Sequence, residues 1–343
     1  MWSIHYVGLD VHKKMVAFCV KTADGTIVEQ GMVAATREAL TEWALRRTTP
    51  WIGVLETTLF AGWIYDHLEP YAVELKMAQS RRLEAIASAK KKNDHVDAAM
   101  LADLLRCNLV PECYVLPREL RDLRVQLRVR NFLLQQAVRL KNRLAGLLME
   151  SGEPYNKQKL HQRRYFGELL DRLEHVPEPV LDLLKTVRGL IELFDRAQAE
   201  LLRGLVAHPD LQERVRRLMT IPGVGQVTAL TWALEVGEPE RFASVRKAIS
   251  YCGLCSAQDE SGGHSRRGPL SKQRNAHLQT VLIEAAKLAP RWNPWLAQVH
   301  QEELARGSAN RATVAVARKL VALLLAIDKR GTDYEDRASA VAA

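Results

Sequence analysis

At 343 residues the chain is too long for one small core, and two or more domains are expected. Its 47% apolar and 26% charged residues exclude a disordered chain, and five irregularly spaced cysteines argue against a disulfide framework and suit a reducing cytosol. A net charge of +9 and a pI of about 9.4 fit an anionic partner, nucleic acid or an anionic membrane surface; no leader-like segment is present, and the apolar run 314–327 is broken by Arg318 and Lys319, against a membrane span.

The first strand is expected over 7–11, where Gly8 and Leu9 lead to Asp10, with His12, Lys13 and Lys14 behind. Aspartate is depleted in strands. At the end of a buried strand its carboxylate needs a compensating charge, from a divalent cation or a basic side chain; the plainer reading is that Asp10 opens a turn. Further strands are expected over 15–21 and 26–33, joined by the turn residues Ala23, Asp24 and Gly25. Thr36 suits the cap of a helix reaching 46, with Glu38 in its first turn. A fourth strand, 51–56, also ends on a carboxylate, Glu56; a helix over 60–68 and a fifth strand over 72–77 follow. This order gives a mixed sheet with helices packed on it.

Lys90, Lys91 and Lys92 precede a helix that begins near Asp94, with Val96, Met100 and Leu104 on one stripe. Asp94 and Asp97, three residues apart, share a face. Either they serve the helix dipole, or they face a cation. Strands one and four are expected to be neighbours, which would set Asp10 beside Glu56 and bring both towards the aspartate pair. Four converging carboxylates can hold two Mg²⁺ ions about 4 Å apart at a phosphodiester, and the lysine run would hold the backbone phosphates.

The series Gly8-Leu9-Asp10-Val11-His12-Lys13, a strand ending on Glu56, and Lys92-Asn93-Asp94-His95-Val96-Asp97-Ala98 resembles the DEDD insertion-sequence transposases. Their N-terminal domain is similar to the Holliday-junction resolvase RuvC, with an RNase H-like fold. The resemblance implies that Asp10, Glu56, Asp94 and Asp97 are catalytic, metal-binding positions.

Pro111 and Pro117 mark a boundary, and one long helix is expected over 118–150. Leu120, Leu123, Leu127, Leu134, Leu144 and Leu148 form its a/d-like stripe; Arg121, Arg124 and Arg128 are among its basic residues. It reads as a solvated coiled coil, or as a basic helix that pairs chains and follows phosphates. Lys157, Lys159, Arg163 and Arg164 form a second basic patch among Tyr155, His161, Tyr165 and Phe166, a mixture that suits single-stranded or folded RNA. A helix over 180–206 is expected to be the return arm.

Ile221-Pro222-Gly223-Val224-Gly225 before an apolar helix over 227–234 is a helix–hairpin–helix pattern, in which Gly223 and Gly225 would open backbone N–H groups to phosphate; a plain tight turn reads equally from the residues. After a helix over 242–251, Cys252 and Cys255 read as core cysteines. Glu260-Ser261-Gly262-Gly263 followed by Arg266 and Arg267 reads either as a hairpin loop or as a ligand-approaching backbone with phosphate-neutralising arginines.

The same family's second, transposase domain is similar to 219–289. There Gly253-Leu254, Ser261-Gly262-Gly263, and Ser271-Lys272 with Asn275 match its features. The resemblance maps the catalytic serine onto Ser261, and the nearby cations Arg266, Arg267 and Lys272 are expected to meet nucleic acid. Three positions depart: Glu260 stands where many members have a first serine, and Arg274 and Gln279 replace a usual glycine and arginine. Helices are expected up to 303 and over 310–327, then a frayed tail from 332.

The expected architecture is α/β plus α: an RNase H-like, RuvC-like domain over 1–110, a basic helical coiled-coil region over 111–210, a transposase domain with a helix–hairpin–helix and the serine loop over 211–335, and a flexible tail over 336–343. The resemblance implies a DNA recombinase that uses Mg²⁺, a serine nucleophile and a structured guide RNA on donor and target DNA. It would act as a homodimer or homotetramer in the cytoplasm, at a bacterial or archaeal nucleoid. Three other readings of the residues are a metal-dependent junction endonuclease using water, a non-catalytic nucleic-acid binder, and an actin-like sugar kinase or ATPase, which would need a glycine-rich phosphate loop where His12, Lys13 and Lys14 stand.

Overall fold

A computed structural model of the chain describes residues 4–86, 93–261 and 264–335. Lys90, Lys91, Lys92, Gly262, Gly263 and the tail over 336–343 lie outside the described residues. The chain divides into two compact units, Met1–Arg118 and Glu119–Ala343.

The first unit opens with β1 (His5–Val11), β2 (Met15–Lys21) and β3 (Ile27–Ala34), followed by α1 (Arg37–Leu45) and β4 (Trp51–Glu56). Then come α2 (Ala61–Leu68), β5 (Glu74–Ala78), α3 (Ser80–Ile86) and α4 (Asp94–Arg106). The five strands form one sheet in the order β3-β2-β1-β4-β5. The β1–β2 and β2–β3 pairs are antiparallel, while β1, β4 and β5 run parallel. This mixed sheet is consistent with the expected RNase H-like domain. Thr36 caps α1 as expected, its side chain accepting from the Ala39 N–H.

Strand alternation divides the sheet into two faces. Val7, Leu9, Phe18 and Leu55 pack with Leu40 and Trp43 of α1 and Ile64 and Leu68 of α2. On the other face Val54 and Ala78 pack with Leu101, Leu104 and Leu105 of α4, and Ala17 and Cys19 with Ala98. The expected α4 stripe is rotated. Val96 is exposed, and Ala98, Leu101, Ala102 and Leu105 carry the buried face, with Leu104 at its edge. The cause is Gly8: a Cβ there would lie 2.0 Å from the Ala98 carbonyl oxygen and 2.5 Å from the Ala102 nitrogen. The helix therefore seats its small residues on the strand, and tertiary fit overrides the larger apolar residues.

The second unit begins with α5 (Arg118–Glu150), α6 (Arg163–Leu170) and α7 (Glu178–Val206). Leu144, Leu147 and Leu148 of α5 share a core with Phe166 and Leu169 of α6 and Leu184, Val187 and Ile191 of α7. Leu134 of the expected α5 stripe is exposed, and Ala137 is buried instead. Phe166 lies in this core and Tyr155 and Tyr165 pack against it, so the aromatics of the second basic patch are structural.

Next follow α8 (Pro209–Met219), α9 (Gln226–Val236), α10 (Val245–Tyr251), the hairpin β6 (Ser256–Ser261) and β7 (His264–Leu270), α11 (Ala276–Leu288), α12 (Pro294–Ala305) and α13 (Ala309–Arg330). Every residue of α9 from Thr228 to Val236 is buried, as suits a helix apolar all round. Within it Trp232 Nε1 donates to Asp328, which also accepts from Arg214 at 2.6 and 2.8 Å. The expected fray from 332 is corrected over its described part. Asp333 accepts from Arg216, and the Tyr334 N–H donates to Thr220 Oγ1. Among the described residues no helix is long and apolar enough to cross a membrane.

Candidate active site

Asp10 ends the β1 face that meets α4. Gly8 touches Ala98, and Asp10 lies two residues further along the strand, about 6.6 Å at strand rise. Asp94 lies four residues before Ala98, about 6 Å at helical rise. One close backbone contact thus registers Asp10 on Asp94. Asn93 fixes the start of the helix, its side chain accepting from the His95 N–H at 3.0 Å. The first turn carries Asp94 and Asp97 where the helix dipole favours acid.

Asp10, His12 and Asp94 form one group, each offering a ligand atom within 4.8 Å of the others. His12 Nε2 lies 3.1 Å from Asp10 Oδ2 and 3.5 Å from Asp94 Oδ1. Asp10 is only 7% exposed. Burial pushes its carboxyl above the ordinary range, the neighbouring charges of Asp94 and Asp97 push it further, and His12 opposes them. This acidic pocket carries a surplus of negative charge, and its hard oxygen donors suit a divalent cation.

Asp97 therefore lies close enough to act on Asp10, one turn along the helix from Asp94. Glu56 ends β4, which pairs in parallel with β1 through Leu9 and Leu55. By alternation from Val54 it belongs to the α4 face, one strand across from Asp10, but it is outside the three-residue group. His12 joins the group although the four-acid pattern gives it no role. Its signal was the spacing: two residues past the strand's last inward carboxylate, where the chain turns back.

Ser261 lies elsewhere in the fold, as the last residue of β6, paired with His264 of β7. The β6 and β7 strands form a two-stranded sheet of their own. Ser256, Ala257, Gln258, Glu260 and Arg266 along it are exposed. Arg267 pairs with Gln258 through the backbone. At the hairpin's base two of the departures from the family pattern, Arg274 and Gln279, act together. Gly253 has φ +70, a Cβ there would lie 2.3 Å from Arg274 Cβ, and Gln279 Nε2 donates to its carbonyl at 2.6 Å. Burial pushes the thiol of neighbouring Cys252 up to about 12, as suits a core cysteine.

The residues expected to meet nucleic acid divide. Arg128 donates twice, at 2.8 Å, to Glu235, which is buried on α9 and also accepts from Asn275 Nδ2 at 2.8 Å. Its charge is thus answered within the unit instead of being free for phosphate. Arg124 sits beside this pair, and burial lowers its pKa, with Arg128 adding repulsion. Arg121 is half-buried on the same helix, while Lys272 and Arg266 are exposed. Gly223 has φ +91, and a Cβ there would lie 2.6 Å from Ala289 Cα, so packing alone requires this glycine. Gly225 is the N-cap of α9, with open space around it.

Comparison with known proteins adds to this geometry. A family model described as transposase, of the DEDD IS110 type, matches residues 7–152, and one described as the transposase IS116/IS110/IS902 family matches residues 215–301. The chain is 30% identical over 223 residues to a probable family 20 transposase of Pseudomonas aeruginosa, a match covering 60% of the chain and 63% of that relative. It is 24% identical to the transposase for insertion sequence element IS1328 of Yersinia enterocolitica, over 97% of the chain and 99% of the relative. It is 25% identical to the transposase for insertion sequence element IS1111A of Coxiella burnetii, over 97% and 92% respectively.

Proposed function

The chain belongs to the transposase IS116/IS110/IS902 family, and from that premise we propose that it is a recombinase that cuts and rejoins the DNA strands of an insertion sequence. The observation that carries this reading is the meeting of Asp10 and Asp94 around one buried carboxyl, with Asp97 acting on it and Glu56 on the adjacent strand. These four acids would hold Mg²⁺, as two ions. A bound cation would supply charge against the negative charge that develops on a scissile phosphate.

In this reading Ser261 is the nucleophile. Its Oγ forms a bond to phosphorus as the bond from phosphorus to the 3′ oxygen breaks. The hydroxyl proton passes to solvent, and the departing 3′ oxygen takes one up. The product is a phosphoserine link and a free 3′-hydroxyl that can rejoin to another strand. The position of Ser261 at the end of β6, in a hairpin whose residues Ser256, Gln258, Glu260 and Arg266 are exposed, supports it. The acids and the serine belong to different units of the chain, and the resemblance implies a homodimer or homotetramer. A structured guide RNA follows from the resemblance. The charge of +9 and the exposed Lys157, Lys159, Arg163, Arg164, Arg266 and Lys272 support an anionic partner.

The test incubates the full chain with donor and target DNA, Mg²⁺ and RNA transcribed from the flanks of its gene. Strand-transfer products that vanish in both Asp10→Asn and Ser261→Ala are expected. Cleavage that survives Ser261→Ala would point to a water-using endonuclease. Undiminished recombination by Asp10→Asn would refute the enzymatic reading.

A further inference from the structure

Among the three residues that meet at the end of β1, His12 alone offers nitrogen. The ligand atoms of an octahedral cation at 2.0–2.1 Å stand about 3 Å apart when adjacent. His12 Nε2 is hydrogen-bonded to Asp10 Oδ2 at 3.1 Å and lies 3.5 Å from Asp94 Oδ1, so one ring nitrogen faces both carboxylates. The imidazole is held there by local chain geometry. The His12 N–H donates to the Met15 carbonyl at 2.9 Å, closing the β1–β2 turn and turning the side chain back towards Asp10. Its side chain is half exposed, and the hydrogen bond to Asp10 keeps the ring turned towards the two carboxylates.

We infer that His12 is itself a ligand of the cation, giving a mixed oxygen–nitrogen donor set that favours Mn²⁺ over Mg²⁺. The inference rests on the reading of this group as the cation site. Mg²⁺ takes oxygen ligands and keeps its waters, whereas imidazole suits first-row transition metals. One neutral nitrogen in place of an oxygen therefore lowers Mg²⁺ affinity relative to Mn²⁺. The sequence motif of four acids predicts an all-oxygen site; His12 changes the class of ion.

Two measurements on the tag-free full chain test this. Calorimetric titration with MnCl₂ and with MgCl₂ gives both affinities, and pulsed electron paramagnetic resonance of bound Mn²⁺ reads nitrogen coupling directly. Wild-type protein is expected to bind Mn²⁺ more tightly and to show ¹⁴N coupling. His12→Ala is expected to lose the coupling and to bind Mn²⁺ about tenfold more weakly, with Mg²⁺ affinity changed much less. His12→Asn, which restores an oxygen donor, keeps the test open if the alanine variant does not fold. Bound Mn²⁺ without nitrogen coupling, or coupling that persists in both variants, for instance through His95, overturns the role of His12 and leaves the carboxylate site standing. Failure of wild-type protein to bind either ion overturns the cation site itself.

Discussion

Gly8 and Ala98 meet backbone to backbone, with no room for a single methyl group between β1 and α4. This contact sets the distance between sheet and helix and carries Asp10 to Asp94. Gly8→Ala is expected to force α4 away from the strand. Overpacking of this kind costs about 1–3 kcal/mol, and with backbone as the obstacle the upper end applies. Thermal unfolding should show the loss, and cation titration should show weaker binding. Unchanged values of both would separate the site from this contact.

Asp10 illustrates stability given up for a site. Its folded pKa is raised, by burial first, above an unfolded value of about 3.9. The ionised form is therefore disfavoured in the fold, and the penalty grows as pH rises from the unfolded value through the folded one. Asp10→Asn should melt higher than wild type at pH 7 in EDTA while losing cation binding. A lower melting temperature would contradict the charge-surplus account.

Glu235 behaves in the opposite sense. Burial works to raise its pKa, but the hydrogen bonds from Arg128 and Asn275 outweigh burial and hold it below its ordinary value. Its contribution to stability is full above the unfolded value of about 4.3 and is lost as pH falls through the folded value. Glu235→Gln should flatten the acid limb of a stability–pH curve measured by urea unfolding. An unchanged acid limb would remove Glu235 from the account.

Arg128→Ala would leave the Glu235 carboxylate buried without its partner. Breaking a buried pair costs about 3–5 kcal/mol, and the partial exposure of Arg128 places the expected loss at the lower end. Urea midpoints measure it. If stability is unchanged and only DNA affinity falls, Arg128 is a phosphate contact as the sequence first suggested.

Much of the first unit, and the long helix that opens the second, was legible because the signals are local. The strands of 15–21 and 51–56, the Thr36 cap and the full span of α5 follow from alternation, capping chemistry and uninterrupted periodicity. What escaped depends on distant partners. The α4 stripe was misread because Gly8 selects Ala98 and Ala102 over Val96. Arg128 was read as a surface cation because its carboxylate comes from α9. Tyr155, Tyr165 and Phe166 were read as base-stacking residues because nothing in their own stretch shows the core they share with α7. The site was half legible: the acids carry a motif, and His12 gains meaning only once α4 is laid over β1.

The proposed reaction needs both the acids of the first unit and Ser261 of the second. Trapping on a nicked suicide DNA, followed by mass spectrometry of the digested protein, tests it most directly. A nucleotide should be found on the peptide bearing Ser261 in wild-type protein, and none in Asp10→Asn or Ser261→Ala. A covalent adduct formed by Ser261→Ala, or by Asp10→Asn at the wild-type level, would contradict the account.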